Sequence, residues 1–320
     1  MAASPVCIMG PTAAGKTDLA IALAAHLGGE LISVDSALIY RGLDVGSAKP
    51  DYPHHLINIC DPREVYSAAS FVRDAENAIE LIGAKNKRSI LVGGSMLYFK
   101  ALLQGIDPLP GADQKLRNTL TNKAQREGWP AIHADLARLD PDAAERIHPN
   151  HSQRLLRALE LNILTGKPLA ELHSGKGAHT RMLTAESVPC FALTPVNRTV
   201  LHDRIEQRLD KMLTCGFLKE VEALLAMRGM HMGLPSLRAV GYRQLAQHLS
   251  GDYDLNEARQ RALAATRQLA KRQLTWLRKW PGVIWILTDS SGLVVQHGTR
   301  EALKDCDRGR SPVEIAQRYL

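Results

Sequence analysis

The chain has little from which to build a disulfide or zinc framework. Its five cysteines, Cys7, Cys60, Cys190, Cys215 and Cys306, are dispersed, odd in number and form no C-x-x-C pair. That points to a reducing compartment and against a cysteine-stapled fold. The histidines do not supply a metal site either: His54 and His55 are adjacent, and His148 and His151 flank a proline without cysteine or acidic partners. Aromatics make up 5% of the chain, so Leu, Ile, Val and Ala are expected to fill the core. No apolar run approaches the ~18 residues of a membrane span. No basic region precedes the first apolar stretch, which reads as a core strand rather than a signal peptide. A cytoplasmic location without membrane attachment is the expectation.

What is present is ordinary in bulk and specific in detail. With 320 residues, 45% hydrophobic and 23% charged, the chain is long enough for one large or two modest domains. A net charge of +7 and a pI near 9.2 favour an anionic partner.

Residues 1–104 alternate between strand and helix patterns. Val6–Met9, Leu31–Val34, Leu56–Ile59 and Ser89–Val92 read as strands. Lys16–Leu27, Ser67–Ala84 and a short stretch ending at Leu103 read as helices. This alternation predicts an α/β fold with a doubly wound parallel sheet. Beyond Gly111 the strands stop, and helices are predicted from Asp113 to Leu164 with breaks at Gly128-Trp129-Pro130, Asp140-Pro141 and His148-Pro149. Gly166–Thr180 reads as a mobile loop, Pro189–Leu193 as a returning strand, His202–Trp280 as helical and Val283–Leu287 as a late strand. The expected organisation is a core of 1–112 and 185–320, helical in its C-terminal part, with a helical insertion at 113–184.

Residues 10–17 read GPTAAGKT, between the first strand and the first helix. A loop so placed aims unpaired backbone N–H groups and the positive end of a helix dipole into one concavity. Gly10 and Gly15 allow the tight wrap, Lys16 reaches terminal phosphate oxygens, and the Thr17 hydroxyl can ligate Mg²⁺. A phosphorylated ligand follows, its identity open. The strand Ile90–Val92 ends in Gly93-Gly94-Ser95 without the acid of an ATPase, whereas Leu31–Val34 runs into Asp35. Asp35-Ser36 is either a cap for the next helix or a carboxylate at the ligand-binding edge of the sheet.

From Ala258 to Trp280 the chain carries seven basic residues and no acid. Leu263, Ala270, Leu274 and Leu277 form an apolar stripe, with Arg267, Lys271 and Arg278 on another face. A solvated face is the ordinary outcome, but the missing acids favour a polyanion contact. Trp276 and Trp280 read as core anchors. In 151–166, Leu156, Leu159 and Ile163 are expected inward and Arg154 and Arg157 outward. Arg238 and Arg243 bracket Gly241, expected to permit close backbone approach. Together these suggest phosphate-backbone contact with a nucleic acid.

At this point the chain resembles the tRNA dimethylallyltransferases (isopentenyl-diphosphate:tRNA transferases), bacterial type, along almost its whole length. The stretches that carry the resemblance are GPTAAGKT at 10–17, VDSALIY at 34–40, SAKP at 47–50, HHLINICDP at 54–62 and LVGGSMLYFKALL at 91–103. RIHPNHSQRLLRALE at 146–160, RAVGYRQL at 238–245 and TRQLAKRQLTWLR at 266–278 complete the set. The resemblance implies transfer of a dimethylallyl group from dimethylallyl diphosphate to N6 of the adenosine 3′ of the anticodon, in tRNAs reading U-starting codons.

It also implies roles. Gly10, Pro11, Thr12, Ala13, Ala14, Gly15, Lys16 and Thr17 would bind the diphosphate, Thr17 with Mg²⁺ as cofactor. Asp35 would be the general base, and Arg204 a further counter-charge. The anticodon stem-loop would touch Asp35, Ser36, Ala37 and Leu38, then Gln153, Arg154, Leu155, Leu156 and Arg157, then Arg238, Ala239, Val240, Gly241, Tyr242 and Arg243. It would also touch Lys271, Arg272, Gln273, Leu274, Thr275, Trp276, Leu277 and Arg278, with Ser95 and Arg117 flanking the channel. A monomer is the default. Three departures stand out: Ala14 where the family often has Ser, Ser95 where Thr is usual, and Leu38 where Gln is usual, which removes a side-chain hydrogen bond. The family's eukaryotic zinc finger has no counterpart here. Rival readings are a transferase acting on free AMP or ADP, a small-molecule P-loop kinase, and a non-catalytic nucleotide-dependent RNA-binding protein.

Overall fold

The computed structural model describes residues 4–105, 107, 109–172, 188–306 and 309–320. The chain forms two compact units, Met1–Gln104 with Met182–Leu320, and Gly105–Arg181. The first begins with β1 (Val6–Met9), α1 (Lys16–Leu27), β2 (Gly29–Val34), β3 (His54–His55), α2 (Ala68–Ala84), β4 (Arg88–Gly93) and α3 (Met96–Gln104). The second holds α4 (Gln114–Glu127), α5 (Trp129–Leu139), α6 (Pro141–Arg146), α7 (Ser152–Thr165) and α8 (Leu169–Leu172). The first resumes with β5 (Cys190–Pro195), α9 (Arg198–Thr214), α10 (Phe217–Ala226), α11 (Tyr242–Leu249) and α12 (Leu255–Leu277). It closes with β6 (Ile284–Thr288), β7 (Val294–Thr299), β8 (Ala302–Asp305) and α13 (Pro312–Gln317).

One sheet of order β3-β2-β4-β1-β5-β6-β7-β8 runs through the first unit. The pairs from β3 to β6 are parallel. Both faces are covered, so the central strands are apolar throughout rather than alternating. Val6, Ile8, Leu31, Ile90 and Phe191 meet Leu19, Leu23 and Ala24 of α1 and Ile315 of α13 on one face. Cys7, Met9, Ile32, Leu91 and Ala192 meet the helices α2, α3 and α9–α12 on the other. All four phenylalanines, Phe71, Phe99, Phe191 and Phe217, are buried here.

Local signals set the boundaries. Ser67 caps α2 by accepting the Ser70 amide at 3.0 Å, and Gly28 ends α1 in the left-handed conformation. In the second unit Gly128 separates α4 from α5, and Asp140 caps α6 through the Ala143 amide at 3.0 Å. The buried Asp140 also accepts the Leu169 amide at 2.7 Å, tying α6 to α8.

Several expectations need correction. Leu56–Ile59 is not a strand: Leu56 and Asn58 adopt φ of 64° and 59°, a left-handed turn, and the strand is the shorter His54–His55. The sheet is parallel only as far as β6; β7 and β8 extend it antiparallel. In α7 the inward residues are Leu155, Ala158 and Leu159, while Leu156 is half-buried and Ile163 exposed. Trp276 is 40% exposed, and only Trp280 is a core anchor. Of the expected loop at 166–180, residues 169–172 form α8 and the rest from 173 lies outside the described residues.

Candidate active site

Three neighbouring strands, β2, β4 and β1, deliver their C-terminal ends side by side. They carry Asp35, Gly94-Ser95 and the 10–17 loop respectively. The strands that follow β1 lie on one side of it as far as β4 and on the other side from β5 onward, so this edge is the switch point at which open α/β sheets bind ligands. Two strand spacings of ~4.8 Å put the backbone of Asp35 about 10 Å from that of Gly10.

The loop itself is shaped by two conformations. Gly15, with φ 89°, is the left-handed N-cap of α1, and Ala13 also takes a positive φ of 62°. Gly10 serves a different end from the expected wrap: a Cβ there would lie 2.4 Å from the Leu193 carbonyl of β5. Ala14, the departure from Ser, is buried. Lys16 donates from Nζ to the Pro11 carbonyl at 2.7 Å. Burial holds its ammonium down to about 8, the Arg208 guanidinium pushes the same way, and the Asp35 carboxylate pulls it back. These three side chains therefore share one electrostatic neighbourhood.

Asp35 accepts the Ala37 amide on Oδ1 at 2.8 Å, closing a turn over Ser36 rather than starting a helix. The helix-cap reading of Asp35 is therefore corrected, since no helix follows it: the residue orders its own turn and stands at the sheet edge. Ser95 fastens that turn from β4, its Oγ accepting the Ser36 amide at 3.0 Å. The Leu38 carbonyl accepts the Asn58 amide at 3.2 Å.

Gln273 plays a part that its sequence position did not announce. From α12 its Oε1 accepts the Thr12 amide at 2.9 Å and its Nε2 donates to the Gly94 carbonyl at 3.0 Å. It is buried and spans the 10–17 loop and the β4 end, so it acts as a strut, not as a surface contact. Gly94 makes room for it, since a Cβ there would meet Nε2 at 2.2 Å.

Arg204 is not the guanidinium that faces this group. It donates to the Ser290 carbonyl at 3.0 Å. The charge felt by Lys16 is Arg208, one turn further along α9, whose Nη2 donates to the Ser47 carbonyl at 3.1 Å. Burial lowers the Arg208 pKa and Asp35 raises it. Glu220 of α10 then fixes the loop that carries Ser47, accepting the Asp44, Val45 and Gly46 amides at 2.9, 2.6 and 3.0 Å. It also accepts the Tyr242 hydroxyl at 2.6 Å. The i, i+4 spacing of Arg204 and Arg208 was visible in the sequence; nothing local marked Glu220.

The remaining expected RNA contacts divide by exposure. Ser36, Gln153, Arg154, Arg238, Arg243, Lys271, Arg272, Thr275 and Arg278 are exposed, and Ala239 and Val240 half-buried. The side chains of Leu155, Tyr242 and Leu277 lie in the core and cannot meet a partner, while the largely buried Leu274 shows only its edge, in a hollow where β5 and β6 end. Gly241, at φ 90°, is approached by the Phe217 ring rather than left open to a ligand. On α12, Arg267 pairs with Glu206 at 3.0 Å and Arg259 with Asp210 at 2.6 Å, so the acids missing from that helix come from α9.

Within the second unit, Arg117 and Arg157 both close on Glu160, whose side chain is fully buried. Arg117 binds it in bidentate fashion at 2.8 and 2.9 Å, Arg157 at 2.8 Å, and the Asp113 amide donates at 2.8 Å. Removing the carboxylate would strand two guanidinium groups. Glu160→Ala is expected to cost about 3–5 kcal/mol, seen as an earlier urea unfolding transition. A midpoint equal to wild type would mean that solvent replaces the carboxylate at no cost.

A divalent cation can be judged from the donors. No group of three or more His, Cys, Asp or Glu among the described residues is arranged to hold a metal alone. The half-buried Thr17 hydroxyl at the start of α1 suits an ion such as Mg²⁺, which keeps several waters and shares substrate phosphate oxygens.

Comparison with known proteins agrees with this geometry. The IPP transferase family profile matches residues 38–280, and the isopentenyl transferase profile residues 5–59. A tRNA dimethylallyltransferase of Chromohalobacter salexigens is 54% identical over 290 residues, covering 89% of this chain and 92% of that one. Among solved structures, the tRNA isopentenylpyrophosphate transferase of Bacillus halodurans aligns with TM-score 0.62 and 36% identity over 89% of each chain. A eukaryotic dimethylallyltransferase acting on tRNA aligns with TM-score 0.68 and 26% identity, over 90% of this chain and 74% of its own.

Proposed function

The chain belongs to the IPP transferase family, and from that premise we propose the reaction of its site. A dimethylallyl group moves from dimethylallyl diphosphate to N6 of the adenosine immediately 3′ of the anticodon, in tRNAs reading codons that begin with U. The chain is a tRNA-modifying prenyltransferase. The observation that carries the finer reading is Asp35 held at the β2 end, two strands from a phosphate loop whose lysine feels its charge.

The chemistry follows from those parts. The N6 lone pair bonds to the allylic carbon as the carbon–oxygen bond to diphosphate breaks, and the N6 proton passes to the Asp35 carboxylate. Negative charge grows on the departing diphosphate. The amides from Ala13 to Thr17 lack backbone acceptors among the described residues and are free to receive it, with Lys16 and Arg208 beside them. Mg²⁺ would be held by Thr17 and would neutralise diphosphate oxygens. Ser95 and Gln273 keep the two halves of the site in register. We read the anticodon stem-loop as lying on the exposed cations of α12. We take the protein as a monomer acting in the cytoplasm; among the described residues no helix is long and apolar enough to cross a membrane.

Incubation with dimethylallyl diphosphate, Mg²⁺ and unmodified tRNA should yield N6-prenyladenosine by mass analysis of the nucleosides. Prenylation of free AMP with tRNA untouched, or ATP turnover without prenyl transfer, would overturn the reading.

The depressed Lys16 pKa gives a second test. The protonated form is the one that binds an anion, and the bound diphosphate raises its pKa. Affinity for the prenyl diphosphate should therefore be flat below pH 8 and fall by up to tenfold per unit above it. The KM for the donor measured from pH 6.5 to 9.5 checks this. A flat profile to pH 9.5 would mean that Lys16 keeps its proton in the free enzyme.

A further inference from the structure

The first unit has a second concavity at the same edge of the sheet, about 230 Å³ in volume. It lies where β5 and β6 end, beside the last turn of α12 and the β7–β8 turn. Its floor is apolar, built by Leu274 and Trp285 with Leu303 at one side. Around it stand Arg198, Arg278 and Arg300, and no acidic residue lines it. All three arginines are exposed, and none has a carboxylate partner among the described residues. Arg300 is aimed by its bond to the Arg278 carbonyl at 3.1 Å.

This arrangement differs from the rest of α12. Arg259, Arg261 and Arg267 are each matched by an acid, Asp210, Glu257 and Glu206. The neutralisation stops before the C-terminal end, where Lys271, Arg272, Arg278 and Lys279 are exposed and have no acidic partner among the described residues. A solvated cluster of cations needs no hollow, and an apolar hollow needs no cations. The two together call for a ligand with a flat or apolar body and a negative group. The volume is below the ~300–1,000 Å³ of sites for drug-sized ligands, which suits a single base. Arg278 lies five residues beyond Gln273, the strut of the phosphate loop. At 1.5 Å per residue that is about 7.5 Å along the helix, within reach of a polynucleotide whose target base is at Asp35.

We propose that this pocket receives an unstacked nucleotide of the tRNA substrate, with its base on Leu274, Trp285 and Leu303 and its phosphate on Arg198, Arg278 and Arg300. The pocket would hold the strand on the far side of the phosphate loop from Asp35 and keep the target adenosine from withdrawing. The prenyl diphosphate has its own cradle, and the exposed cations gathered at the C-terminal end of α12 favour a polyanion here. The proposal rests on tRNA being the substrate.

The test is RNA binding by fluorescence anisotropy without prenyl donor, so that it reads separately from turnover. Anticodon stem-loops carrying one abasic nucleotide at each loop position in turn are compared with the intact loop. For the wild type, one position other than the target should weaken binding about tenfold. The R198Q/R300Q protein, changed only at exposed side chains, should bind the intact loop about tenfold more weakly. The abasic loss should disappear in it, and its salt slope should fall by about one to two. Leu303→Glu, on an exposed strand, should reproduce the loss. Additive losses, an unchanged salt slope, or protection of the pocket by a mononucleotide or by the prenyl diphosphate in place of the RNA would overturn the proposal. If instead the wild type binds the stem-loop but makes no prenyladenosine, it is the reaction that is wrong and not the pocket.

Discussion

Asp35→Asn is expected to bind tRNA and prenyl diphosphate as the wild type does and to transfer the prenyl group about 10²–10⁴ times more slowly. Asparagine keeps an oxygen for the Ala37 amide, so the turn that Ser95 fastens should survive. What it loses is the ability to take a proton. The exocyclic amine of adenine is a weak nucleophile, and the product cation would be costly if the proton stayed on nitrogen. Single-turnover transfer with mass detection gives the rate, and anisotropy gives tRNA affinity. A rate within threefold of wild type would move the proton to another acceptor. An equal loss in RNA affinity would reduce Asp35 to a capping residue.

Lys16→Met should lower kcat/KM for the prenyl diphosphate by about 10²–10³, with kcat carrying much of the loss. Lys16 sits among amides and within the field of Arg208, and burial lowers its pKa to about 8. Charge on the departing diphosphate exceeds that in the ground state, so a cation there does more for the transition state than for binding. Lys16→Arg should not restore the rate, because the planar guanidinium does not fit a place shaped for a compact ammonium whose resting partner is the Pro11 carbonyl. A loss confined to KM would show that Lys16 holds substrate and transition state equally.

These two predictions rest on different parts of the record. The phosphate loop was legible because its chemistry is local: a strand, two glycines, Lys-Thr and a helix are consecutive in the chain. Asp35 was legible as a carboxylate ending a strand, but the residues alone did not separate a cap from a base; the base role came from the family resemblance and is what Asp35→Asn tests. Arg204 and Arg208 illustrate the limit. Both lie on α9 at helical spacing, and only packing puts the second beside Lys16 and the first on Ser290. The basic run of α12 shows the same limit: that Arg259 and Arg267 are answered by Asp210 and Glu206, some fifty residues earlier, is decided by packing alone.

The sequence by itself determined the alternation of β and α, the capped helices of the second unit and the phosphate loop, because burial period, caps and turn residues act between neighbours in the chain. It also carried enough ordered motifs to place the chain in its family. Only the tertiary structure decided that β4 lies between β1 and β2, that Gln273 braces the loop, and that Glu160 gathers Arg117 and Arg157. It alone showed that β7 and β8 turn antiparallel and close the apolar hollow beneath three arginines. Apart from the Arg157–Glu160 pair and the β7–β8 hairpin, those contacts join residues tens to hundreds of positions apart, and their energies depend on which surfaces meet, which no local pattern records.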